Sequence, residues 1–216
     1  MAKSSGTLID LVERLGGRYV DLPAHRLVHA PSLDVAEGFT IRSGIVWLYK
    51  LGSSGRRHAV ALRFTGEIVL PYELAMGLDA QTLVPSRLAR FPGKAFDAWF
   101  ETDKSARQLL ARTMARQHRI ALEWLARSTF DPEEKIAHFL CETAFRSGHD
   151  LDPQRPFDLP FTQRQIGFVT GQTASSVNRV LGDWQRGNVL IRSERRYTVD
   201  WAELERIGRF DRSYLL

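Results

Sequence analysis

Apolar positions in the first hundred residues come in short runs separated by turn formers: Phe39 to Arg42, Ile45 to Leu51, His58 to Phe64 and Ile68 to Leu70. Runs of this length and spacing predict antiparallel strands closing into a β-roll or barrel. Gly52-Ser53-Ser54-Gly55 separates an aromatic run (Trp47, Tyr49) from an alternating one (Val60, Leu62, Phe64) and reads as a hairpin connection. A short helix over Leu8 to Leu15 is predicted ahead of the sheet.

From Asp97 to Ser128 the chain has no glycine or proline and is rich in Ala, Leu, Arg and Gln, which predicts one extended helix. Ala106, Leu110, Thr113, Gln117, Ile120 and Trp124 alternate spacings of three and four, the geometry of a helix-helix seam. That seam serves either a second copy of the chain or the helix's own β-domain. Leu109, Leu122 and Leu125 offer a second apolar surface, so both can hold. Asp131-Pro132-Glu133-Glu134 starts a new helix: an N-cap carboxylate, a proline at the first helical position and acids in the positively polarised first turn. It should end near Gly148, before a proline-rich loop at Asp150 to Pro160. The fold class expected is α+β, with a β-roll over 1–103, a long helix over 104–130 and a helix-turn-helix module over 131–216.

The stretch Pro160 to Val199 carries the most specific pattern. Thr162 with Gln165 three residues on is a capping box, so a short helix should run from Gln163 to about Thr170. Gly171 supplies a tight turn, and Thr173 caps a second helix. In that helix Val177, Val180, Leu181 and Trp184 form one apolar stripe, which leaves Ser175, Asn178, Arg179, Gly182 and Arg186 facing away. Arginine donates twice to a guanine edge and asparagine pairs with adenine, so Arg179 and Asn178 suit a helix lying in the major groove. Gln163, Arg164, Thr173 and Ser176 lie near helix starts, where backbone and side-chain donors meet phosphate. A β-hairpin over Val189 to Val199 carries Arg192, Arg195 and Arg196 and reads as a wing beside the reading helix. Arg164, Arg179 and Arg186 add to this basic set against only Asp183 and Glu194.

The whole chain carries 30 Lys and Arg against 25 Asp and Glu, a net charge of +5 that favours polyanionic partners. No run reaches the roughly 18 apolar residues of a membrane helix, and the start lacks a signal peptide's apolar region, so a cytoplasmic protein is expected. The one cysteine, Cys141, excludes an intramolecular disulfide, a cysteine-rich zinc site and any iron-sulfur cluster held by four cysteines of this chain. Its apolar helical setting reads as a small buried hydrophobe rather than a redox switch.

At these residues the chain resembles the Crp/Fnr family of bacterial transcription regulators. Phe130 to Glu142 (FDPEEKIAHFLCE) is similar to the helix after the family's dimerisation helix, and Thr173 to Leu181 (TASSVNRVL) to its recognition helix. Gly44-Ile45-Val46 and Thr65-Gly66-Glu67-Ile68 resemble the glycine-marked turns of its cyclic-nucleotide-binding-type β-roll. The resemblance implies a winged helix-turn-helix, a homodimer held by the long helix, a two-fold symmetric duplex DNA site, and RNA polymerase as partner for an activator. The departures are informative. Val69 to Leu83 contains no arginine to hold a cyclic nucleotide phosphate, and Arg87 lies in the next strand, which argues against cyclic AMP. Ala174 and Ser175 stand where well-known members carry a longer side chain and a base-reading glutamate, whereas Arg179 matches.

The six histidines, at 25, 29, 58, 118, 138 and 149, form no close metal-ligand pair beyond the loose His25 and His29, and ordinary surface or core roles fit them. A single histidine suffices for haem, so haem is not excluded, yet none is singled out. Trp47, Tyr49, Phe64 and Trp124 read as core rather than a cofactor cage. Two rival classes stay open: a cupin-like metal-dependent enzyme, which needs clustered ligands, and a small-molecule-binding module whose helix-turn-helix touches only protein.

Overall fold

A computed structural model describes residues 15–29, 37–53, 55, 57–153, 155–193 and 196–216. The helix predicted from residue 8 falls outside them except for Leu15, which lies in a turn. The chain divides into two compact units, Met1–Ala115 and Arg116–Leu216.

In the first unit, β1 (Arg18–Leu22), β3 (Glu37–Ser43), β6 (Ile68–Val69) and β8 (Ser86–Pro92) make one antiparallel sheet in the order β1-β8-β3-β6. The second, β2-β7-β4-β5, contains β2 (Leu27–His29), β4 (Ile45–Leu51), β5 (Arg57–Phe64) and β7 (Asp79–Thr82). Alternate residues of both sheets meet in one apolar core, with Phe39, Ile41 and Leu88 from the first and Val46, Leu48 and Ala80 from the second. Leu74 of the short helix α1 (Pro71–Ala75) completes it. The four predicted runs are β3 to β6, and β4 and β5 form the predicted hairpin.

Val60 departs from the alternation expected of it. The register slips between Leu48, opposite Ala61, and Tyr49, opposite Ala59, so Val60 is the extra residue of a bulge and is exposed. Trp47, Tyr49 and Phe64 are buried, as core residues should be. β1, β2 and β7 escape the hydrophobic pattern because they are short or rich in polar residues.

The stretch read as one long helix is two. Helix α2 (Gly93–Thr102) stops at Asp103, whose extended backbone (φ −109°, ψ 113°) interrupts the ladder before α3 (Lys104–Ala126). The Asp103 carboxylate accepts the N–H groups of Ser105 at 2.8 Å and Ala106 at 3.3 Å, capping α3, and these bonds hold its pKa below the usual value. Ala106, Gln117 and Ile120 are buried and Leu110, Thr113 and Trp124 half-buried, so the predicted seam faces this chain's own body. Leu110 packs on the cluster of Ile68, Leu70, Phe91 and Phe96. The exposed apolar surface of α3 runs instead through Met114, Leu122 and Leu125.

The second unit contains α4 (Pro132–Arg146), α5 (Gln163–Thr170), α6 (Ala174–Arg186), the hairpin of β9 (Leu190–Ser193) and β10 (Arg196–Val199), and α7 (Trp201–Ile207). At the start of α4 the Asp131 N–H donates to the Glu134 carboxylate at 3.1 Å, and the helix ends close to Gly148 as its sequence predicts. A buried carboxylate, Glu142 of α4, ties the unit together. It accepts from Trp124 Nε1 at 2.9 Å, Tyr214 OH at 2.9 Å and Arg146 Nη1 at 2.5 Å. Arg127, just past α3, donates to the carbonyls of Gly208 and Arg209, each at 2.8 Å, and Arg116 Nε donates to the Leu215 carbonyl at 2.7 Å. The segment after α7 is thereby strapped to the last three turns of α3. Cys141 is buried in α4, and burial pushes its thiol pKa up, which fits a core role.

Candidate nucleic-acid interface

Two capped helices build the site. Thr162 Oγ1 accepts from the Gln165 N–H at 3.2 Å while the Thr162 N–H donates to Gln165 Oε1 at 2.7 Å, so the predicted capping box closes both ways and fixes the start of α5. Gly171 ends α5 in the left-handed conformation, φ 71°, which a side chain would strain. Thr173 Oγ1 then accepts from the Ser176 N–H at 3.1 Å and starts α6. Val177, Val180, Leu181 and Trp184 are all buried, so the apolar stripe fixes which way α6 faces. Trp184 Nε1 donates to Glu133 at 2.8 Å, which anchors that stripe to α4.

The opposite face is open. Ser175, Asn178, Arg179 and Arg186 are exposed, and Gly182 is half-buried between them. Among the described residues Arg179 has no ion pair or hydrogen bond, so its five donors are available. Arg186 is engaged with Asp183 one turn back. Gln163 and Arg164 are exposed at the start of α5, where the Arg164 guanidinium lies 5.6 Å over the Phe168 ring. Thr173 is exposed and Ser176 half-buried. On the wing, Arg196 is exposed and lies 3.3 Å from Asp158, an ion pair that solvent screens. Arg195 lies outside the described residues.

Two features of the site were not read from the sequence. Gln163 Nε2 donates to Asn178 Oδ1 at 2.9 Å, joining the start of α5 to the exposed face of α6. Gly167, inside α5, has no room for a side chain, because a Cβ there would sit 2.6 Å from the Gln172 carbonyl oxygen. A glycine in mid-helix forfeits about 1 kcal/mol of helix propensity, and that mismatch is the signal a sequence offers for such a close approach.

Two arginines of the β-roll are engaged within the fold. Arg87 lies over the Tyr19 ring and 3.8 Å from Asp21 on the outer strand β1. The buried Arg63 donates to Glu73 at 2.6 Å, so its charge is neutralised inside the fold. Among the described residues no three His, Cys, Asp or Glu are arranged to hold a metal, and no helix is long and apolar enough to cross a membrane.

A family model for the Crp-like helix-turn-helix domain matches residues 134–207. Regulatory protein HlyX of Actinobacillus pleuropneumoniae is 26% identical over 167 residues, covering 75% of this chain and 69% of that protein. Electron transport regulator A of Shewanella oneidensis is 26% identical over 178 residues, covering 77% of this chain and 68% of its own length. Among solved structures, FixK2 from Bradyrhizobium japonicum superposes with a TM-score of 0.76 at 21% identity, covering 90% of this chain and 98% of that one. TTHB099, a CRP-family transcriptional regulator from Thermus thermophilus, gives a TM-score of 0.71 at 20% identity, with 88% and 97% covered. At these identities the structures speak for the fold.

Proposed function

We propose that the chain is a DNA-binding transcription regulator of the Crp/Fnr type rather than an enzyme, and that it reads a two-fold symmetric duplex site as a homodimer. The observation that carries this reading is Arg179: an unengaged guanidinium on the open face of a helix whose start, rotation and depth are fixed by two caps and a buried stripe. Arg179, Asn178 and Ser175 meet base edges in the major groove. Gln163, Arg164, Thr173, Ser176, Arg186, Arg195 and Arg196 lie beside the phosphates, supplying affinity that falls with salt. We assign 1–103 to a sensor-like β-roll, 104–130 to the dimer helix and 131–216 to the winged helix-turn-helix. The exposed Met114, Leu122 and Leu125 face the second copy, and the two reading helices then enter grooves one turn, roughly 34 Å, apart.

Arg63 and Arg87 are both engaged elsewhere, so the signal is one other than cyclic AMP, or the protein needs none. The work is done in the cytoplasm, with RNA polymerase as partner where transcription is activated. Selection of bound sequences from random duplex DNA at two salt concentrations tests this reading, with wild type and Arg179→Ala compared. Wild type should enrich a two-fold symmetric site that the variant reads less strictly, with one or more positions relaxed by about fivefold or greater. Absence of enrichment with and without added cell extract refutes DNA reading.

A further inference from the structure

Asn178 is held by a neighbour. An asparagine that reads adenine uses both ends of its amide, with Oδ1 accepting from N6 and Nδ2 donating to N7. Here Oδ1 is turned back across the helix-turn-helix to accept from Gln163 Nε2 at 2.9 Å, while Nδ2 has no partner among the described residues. Gln163 is the first residue of α5, a helix start already immobilised by the Thr162 and Gln165 box, so the donor comes from a fixed frame.

Arg179, next to Asn178, has the same bias, since it can only donate. The Ser175 hydroxyl, 3.4 Å from the Thr173 hydroxyl, can work in either sense. Asp183, the acid on this helix, is engaged with Arg186.

Resting on the reading of DNA by α6, we propose that Gln163 is a positioning residue that sets base specificity. By holding the carbonyl of Asn178 back toward α5 it leaves the exposed face of α6 a donor surface. That surface selects guanine, which presents N7 and O6 acceptors, over adenine at the position Asn178 faces.

Fluorescence anisotropy on the wild-type selected duplex and its single-base variants tests this, with Asn178→Ala locating the position that Asn178 reads. Wild type should favour guanine over adenine there by about five- to a hundredfold. Gln163→Ala frees Oδ1 for bidentate pairing and should shift preference to adenine at that position alone. The salt slope stays unchanged, because no charge is altered. In Gln163→Glu the carboxylate can only accept, so Asn178 must offer it Nδ2 and present Oδ1 outward, favouring the N6 or N4 donors of adenine or cytosine. The Thr162 and Gln165 cap is untouched by either change, so both variants should melt as wild type does, and the base read by Arg179 should not move. Adenine preferred by wild type at this position, no position dependent on Asn178, or an unaltered preference in both variants overturns the proposal. If wild type selects no site at all, the underlying DNA reading fails and takes the proposal with it.

Discussion

Gly167 shows how one residue sets the angle at which the reading helix is presented. The segment that starts α6 passes so close to α5 that a methyl group at Gly167 meets the Gln172 carbonyl oxygen at 2.6 Å, and a backbone atom cannot rotate aside as a side chain would. Gly167→Ala must therefore push the two helices apart. The overpacking should cost about 1–3 kcal/mol, read as a lowered chemical-denaturation midpoint. DNA affinity should fall beyond what that loss of stability explains, because the displaced helix carries Asn178 and Arg179. A variant that retains wild-type stability and affinity would show that the turn can absorb a methyl group. The caps around this residue were legible in the sequence, since Thr162, Gln165, Gly171 and Thr173 stand at fixed local spacings. The tightness at Gly167 and the Gln163 to Asn178 bond were not, because each depends on how two helices meet.

At the scale of elements, α3 carries two apolar stripes, and packing shows which of them this chain covers. Its three-and-four spacing is real, yet Ala106, Leu110, Gln117, Ile120 and Trp124 are covered by this chain. The surface left for a second copy includes Leu122, 50% exposed, and Leu125, 68% exposed, on the last turns of the helix. Exposed leucines at neighbouring turns are costly to leave in water, and burial recovers up to about 1.5–3 kcal/mol for each. Replacing both by glutamate places like charges face to face in the proposed dimer. If the proposed homodimer uses this stripe, sedimentation should then show a monomer for the double variant and a dimer for wild type, with the symmetric DNA site bound far more weakly. A double variant that remains dimeric would move the interface off this stripe. Periodicity alone does not choose between the stripes, because a helix with two apolar sides has two candidate seams and only packing shows which is already filled.

At the scale of the molecule, the Glu142 hub links stability to acid. Burial by itself raises this carboxyl's pKa, but hydrogen bonding with His138 and the Arg146 charge outweigh it and hold the group at about 2, against 4.5 for an unperturbed glutamate. A depressed carboxylate stabilises the fold fully above the unfolded pKa, and that contribution is lost as the pH falls from 4.5 through about 2. Thermal melts should therefore show the second unit weakening across this window. In Glu142→Gln the step should disappear, because the titrating group is gone. The variant should already be destabilised at neutral pH by about 3 kcal/mol, since the buried Arg146 loses its countercharge. A wild-type melting temperature that is flat from pH 4.5 to 2 would contradict the hub. The same network secures the segment after α7 to α3, so its loss should also loosen the DNA-reading unit on its helix.

The sequence by itself determined whatever is short-range. Strands β3 to β6, the capping box of Thr162 and Gln165, the cap at Thr173, the tight turn at Gly171 and the outward set of Ser175, Asn178 and Arg179 all follow from residue spacing within a single element. Only the tertiary structure decided the rest: the Asp103 break that divides a helix lacking any breaker residue, the bulge that turns Val60 outward, and the covered side of α3. It also decided that some arginines are spent on Asp21, Glu73 and Asp183 while Arg179 is left unengaged. The physical reason is common to all of these. Backbone propensity and amphipathic period act over a few residues, whereas burial, close approach and charge pairing depend on partners distant in the chain, whose positions no local spacing encodes.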